Sequence, residues 1–200
     1  MRDILPLASL EKTENMTEES DDSAYWFSTG ERERDAGNLR QAELCFQRAV
    51  SLNPLNAIYL AELGLVKCDL QKSDEAISCL RRATEIDPMC ATVWNGKGVV
   101  HFKNGEIDAA IVAFDKASRL NPSEPDFWMN LGLGYSTVDE YEKAIVAFDR
   151  GIEITPDDSE FWERKARLLI EIGEKDRALH CFRNAEKFRT RGILESTEEY

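Results

Sequence analysis

The chain has 200 residues, 42% hydrophobic and 32% charged, enough to bury a core in one domain or one short repeat array. Acidic groups outnumber basic ones by 38 to 25, and a net charge of -13 without a basic patch excludes nucleic acid and anionic membrane surfaces as expected partners. No run of about 18 apolar residues and no signal-peptide pattern occurs, so neither a membrane span nor secretion is expected and the chain reads as cytoplasmic.

Residues 1–22 carry seven acidic and two basic groups with little periodicity, and are expected to form a flexible N-terminal segment. Its aliphatic residues, Ile4, Leu5, Leu7 and Leu10, are placed to lie across the elements that follow. From Ser23 the pattern changes. Five units follow in register, at 23–56, 57–90, 91–124, 125–158 and 159–188, before a short tail at 189–200. Pro54, Pro88, Pro122 and Pro156 stand 34 residues apart, and Trp26, Leu60, Trp94, Trp128 and Trp162 keep the same step. So do Gly30, Gly64, Gly98, Gly132 and Ala166, and likewise Phe46, Leu80, Phe114, Phe148 and Phe182.

Each unit divides into two runs of about 14 residues with helical patterning. In the third, Ile107, Ala110, Ile111, Phe114 and Ala117 trace one apolar stripe. Gly37, Gly105 and Gly173 end the first helices, while Gln71 and Asp139 hold that place in the other two units. Asn-Pro, Asp-Pro and Thr-Pro pairs end the second helices, because proline lacks the donor to continue and clashes with the preceding turn. Gly132 recurs in register as a small residue, but Gly134 does not: Arg32, Val66, Val100 and Leu168 occupy its place. A glycine inside a helix costs about 1 kcal/mol against alanine, and nothing in the sequence accounts for this one.

These features resemble the tetratricopeptide repeat (TPR) family, with the fourth unit the nearest match through Trp128, Leu131, Gly132, Tyr135, Ala144, Phe148, Gly151 and Pro156. The departures are Thr29, Lys97 and Lys165 at one helix position, Glu33, Lys67 and His101 where tyrosine is usual, and Gly151 in place of alanine. The resemblance implies an all-α fold, a TPR superhelix or alpha-alpha solenoid of five helix-turn-helix repeats. Many arrays of this family end in a solvent-facing helix, and residues 189–200 are too few to supply one, so Phe182 and Phe188 are expected to stay partly exposed.

Chemistry is sparse. Gly132 and Gly134 lie within a helical pattern, not between a strand and a helix, so they are not a nucleotide-binding loop. His101 and His180 join no nucleophile and acid in a recognisable arrangement. The five cysteines, Cys45, Cys68, Cys79, Cys90 and Cys181, lack metal-site spacing and read as small buried hydrophobes. An enzyme is not expected, and neither a cofactor nor a metal is.

Function is therefore sought on the concave face, which the resemblance assigns to the first helices of the units and to the binding of protein segments. Carried across position by position, the groove residues are Phe27, Leu65, Asn95, Val99, Phe102, Met129, Asn130, Leu133, Arg164 and Arg167. Asn95 and Asn130 each offer a donor and an acceptor to a peptide unit. The apolar residues are placed to receive side chains, and Arg164 and Arg167 to hold a carboxylate unless Glu160, Glu163 or Glu171 takes them first. The clamp with which some relatives grip chaperone C-termini is matched only at Asn130 and Arg164, with Asn95, Val99 and Glu160 at its other positions, so a chaperone-tail receptor is not expected. The expected role is a scaffold-like protein-protein interaction module, and its alternative a structural module that self-associates weakly through exposed terminal repeats.

Overall fold

The computed structural model describes the backbone of residues 22–198 and side chains as far as Thr190. The readings for residues 1–21 and for the end of the tail lie outside the described residues. Ten helices follow one another among the described residues: α1 Ser23–Asp35, α2 Leu39–Leu52, α3 Ala57–Asp69, α4 Ser73–Ile86, α5 Ala91–Lys103, α6 Ile107–Leu120, α7 Pro125–Thr137, α8 Tyr141–Ile154, α9 Ser159–Glu171 and α10 Lys175–Glu198. They pair as five hairpins, and each odd-numbered helix after α1 also packs on the even-numbered helix before it. This is an all-α solenoid, in which each unit buries its apolar face against its neighbour.

Local chemistry sets the boundaries. Asp22, Asn56 and Asp158 cap α1, α3 and α9 through side-chain oxygens that accept backbone N–H groups of the first turn. Pro125 opens α7, where a missing donor is harmless. Each first helix stops at a residue of positive φ: Gly37, Gln71, Gly105, Asp139 and Gly173. After each of these, the next N–H returns to a carbonyl five residues back, as in Lys72 to Lys67 at 2.9 Å and Glu140 to Tyr135 at 3.0 Å. Gln71 and Asp139 thus keep the geometry that glycine supplies elsewhere.

Tryptophans close the other end of the last three hairpins. Trp94, Trp128 and Trp162 donate their indole N–H groups to the carbonyls of Pro88, Pro122 and Pro156 at 2.8, 2.9 and 2.8 Å. Trp128 is only half-buried, so it pins the preceding turn as much as it fills the space between helices.

Within the hairpins, Ala42, Phe46 and Ala49 of α2 are buried, as are their counterparts on α4, α6 and α8. A Cβ on Gly132 would overlap the Phe148 ring, and Gly30 and Gly98 stand in the same relation to Phe46 and Phe114. The unit that tolerates alanine, at Ala166, is the one whose Phe182 is only half-buried. Gly134 now has a cause: a Cβ there would lie 2.9 Å from Cγ1 of Ile111 on α6. Gly151 replaces alanine because the Phe161 ring of the next unit fills the space. The boundary expected at 188 falls inside a single helix, since α10 runs on to Glu198.

Candidate functional site

The ten groove residues lie on the odd-numbered helices, and the structure gathers only some of them. Val99, Phe102, Asn130 and Leu133 line one hollow of ≈ 190 Å³, with Lys103 at its edge and Phe114 of α6 as a further wall. Phe114 is a second-helix core residue, so a search confined to first helices misses it. Beside the hollow, Asn130 Nδ2 donates to Asn95 Oδ1 at 2.9 Å. One N–H of Asn130 and one lone pair of Asn95 are used, which leaves the Asn95 NH2 and the Asn130 carbonyl for a ligand.

The other groove residues are drawn toward the core. Phe27 stacks on Tyr59 with ring centroids 4.6 Å apart and leans on Phe46. Leu65 packs among the residues between the second and third units, and Met129 among those between the fourth and fifth.

Arg164 and Arg167 are already held. Arg164 donates twice to Glu160, at 2.9 and 2.6 Å, and Arg167 to Glu163 at 2.6 Å. Arg189, which the sequence reading did not include, donates to the other oxygen of Glu163 at 2.6 Å and joins them around a second hollow of ≈ 320 Å³. Arg34 pairs with Glu62 and Lys103 with Asp69. Each of these five cations therefore already has a carboxylate partner.

Electrostatics on this face follow from burial. Burial pushes the Glu62 carboxyl up, and the Arg34 charge opposes this only in part. Burial also raises the Cys45, Cys68, Cys79 and Cys181 thiols, so they are held protonated and unreactive. Among the described residues, no cluster of three or more His, Cys, Asp or Glu is placed to hold a metal, and no helix is long and apolar enough to cross a membrane. His101 meets Glu106, and His180 packs edge-on to Trp162 with its Nε2 3.1 Å from Asn184.

Five stacked helical hairpins joined by αL turns, with a lined face and no catalytic constellation among the described residues, define a helical-repeat protein. Profiles of the tetratricopeptide repeat match residues 27–67, 62–125 and 101–168. The chain belongs to the tetratricopeptide repeat family, whose members generally mediate protein-protein interactions without catalysis of their own.

No curated protein matches the sequence. Among solved structures, a crystal structure of MamA is similar with a TM-score of 0.71 and 26% identity, over 82% of this chain and 96% of that one. Pseudomonas aeruginosa pilF is similar with a TM-score of 0.76 and 21% identity, over 83% and 76%. A thermophilic TPR protein in Thermus thermophilus gives 0.69 and 19%, over 85% and 96%.

Proposed function

We propose that the chain is a non-enzymatic interaction module that holds an extended protein segment in its concave groove. The observation that carries this reading is the apolar hollow of Val99, Phe102, Phe114 and Leu133 beside the Asn95–Asn130 pair. An apolar side chain of the ligand fills the hollow, and its backbone bonds to the unused amide groups. Because Arg34, Lys103, Arg164, Arg167 and Arg189 are each paired, the ligand is recognised by apolar contact and backbone geometry, not by acidic charge.

The test is a displayed peptide library panned against the full chain, followed by titration of a selected peptide. Leu133→Glu and Asn130→Ala together weaken binding by about tenfold or more, as expected for a buried anchor. Arg167→Ala leaves it unchanged, and helicity is intact in all variants. Unaltered binding in the double variant removes the groove assignment.

A second reading, a module that assembles through its terminal units, is supported by one observation. Leu179 on α10 is 50% exposed, whereas in the same register on covered helices Ile77 is 37% and Ile145 7% exposed.

A further inference from the structure

We propose that the open face of α10 docks the acidic N-terminal segment, residues 1–21, of a second copy of this chain. The inference rests on the self-association reading just given and supplies its partner.

In the first four units, the second helix is covered by the first helix of the next unit. Among the described residues nothing performs this for α10, so Leu179 is exposed and Phe182 is half-buried where Phe46, Leu80, Phe114 and Phe148 are buried. Lys175 and Arg183 stand one turn on either side of Leu179, on the same face. Neither makes an ion pair among the described residues, unlike the groove cations. Residues 175–190 hold five basic and two acidic side chains, in a chain whose net charge is -13. The face is an apolar centre with a positive rim, and its complement is an acidic segment with aliphatic side chains.

Residues 1–21 have that chemistry: six acidic and two basic groups, with Ile4, Leu5, Leu7 and Leu10. Direct stacking of a second copy's α1 does not fit, because its outward side carries exposed Ser28 and Arg32, the latter bonded to Thr29 at 3.1 Å. Reach favours a second copy over the same chain. From α1 to α9 are four steps of roughly 8–10 Å, about 32–40 Å in all. The stretch from Leu10 to Asp22 spans at most about 40 Å when fully extended. Ile4 has about 60 Å of chain to Asp22, so the same chain's segment would reach with Ile4, Leu5 and Leu7 only by running extended along the array, while a second copy's segment arrives unstrained. The contact is head-to-tail, so it propagates beyond a dimer unless the geometry closes a ring.

The experiment combines light scattering of the full chain across concentration with titration of a synthetic 1–21 peptide into a chain lacking those residues. The expected result is a mass that rises with concentration for the full chain, and a monomer after deletion. The peptide binds the shortened chain, Leu179→Glu with Arg183→Glu abolishes that binding, and raising salt from about 0.05 M to about 0.5 M weakens it about tenfold. Assembly that persists after deletion yet is lost in the α10 variant retains the self-association reading and overturns this occupant. Peptide binding that is lost in Leu133→Glu but not in the α10 variant places the segment in the groove and overturns the proposal. A full chain that stays monomeric overturns both readings.

Discussion

Lys67 of α3 sets its ammonium 2.9 Å from the Glu43 carboxylate of α2, both nearly buried, in the register that the next units fill with Ile77 and His101, Ile111 and Tyr135, and Ile145 and Leu169. Lys72 reaches the same carboxylate at 2.7 and 2.8 Å, and Glu75 meets Lys67 from α4. An ion network stands between the first two units, where the later ones hold Tyr135 with Ile111 and Leu169 with Ile145.

Removing one partner leaves the other charge buried. Lys67→Met alone destabilises the chain by about 2–4 kcal/mol, somewhat below the usual range for a broken buried pair because Lys72 still serves Glu43. Glu43→Leu with Lys67→Met is close to neutral or stabilising. Urea unfolding followed by circular dichroism separates the two outcomes, and equal losses in the single and double variants would contradict the pairing.

The pH dependence has a definite sign. Burial pushes Glu43 up, but hydrogen bonds from Lys72 and Lys67 outweigh it and hold the carboxyl below the ordinary value of 4.5. The unfolded state therefore binds the proton more readily, and the stability from Glu43 is present above that value and lost as pH falls below it. Glu62, raised by burial, runs the other way: its contribution worsens as pH rises through its elevated pKa. Relative to wild type, Glu43→Gln should lose its penalty on acidification, while Glu62→Gln should gain relative stability as pH rises from about 4 to about 7. Parallel pH profiles for the two variants would refute this.

The two glycines of α7 differ in what they meet. Gly132→Ala drives a methyl into the Phe148 ring and is expected to cost about 3 kcal/mol or more. Gly134→Ala meets Ile111 at 2.9 Å, gains about 1 kcal/mol of helix propensity and loses about 2 to crowding, a net loss near 1. Phe148→Leu restores part of the stability of Gly132→Ala but none of that of Gly134→Ala. Thermal unfolding of the four variants checks both the order and the rescue.

Gln71 holds φ 63° without being glycine. Gln71→Gly should stabilise the chain by about 0.5–1 kcal/mol, relief of left-handed strain exceeding the extra entropy of the unfolded glycine. Asp139→Gly gains less, because Asp139 also accepts the Tyr141 hydroxyl at 2.6 Å. A loss of stability in Gln71→Gly would mean that the glutamine side chain has a role in this turn.

The fold was legible because Pro54, Pro88, Pro122 and Pro156 repeat a stop signal, and Gln71 and Asp139 could be set beside Gly37 by register alone. Half of the site was not legible. Whether Arg164 turns to a ligand or to Glu160 is a rotamer question, and periodicity carries no rotamer. Asn95 and Asn130 are 35 residues apart, one more than the period, so their bond appears only once neighbouring first helices are set side by side. Gly134 and the Glu43–Lys67 pair are hidden for the same reason. Each is a contact between a second helix and the next first helix, and a repeat read one unit at a time does not contain it.

The indole–proline hydrogen bonds make the chain its own optical ruler. Its four tryptophans, Trp26, Trp94, Trp128 and Trp162, fall one to a unit, with only the second unit dark. Three of them hold the turn that introduces their own hairpin. Loosening such a turn frees the indole to water and shifts its emission to the red. Variants retaining one tryptophan would then report, by colour and in order along the array, which hairpin lets go first.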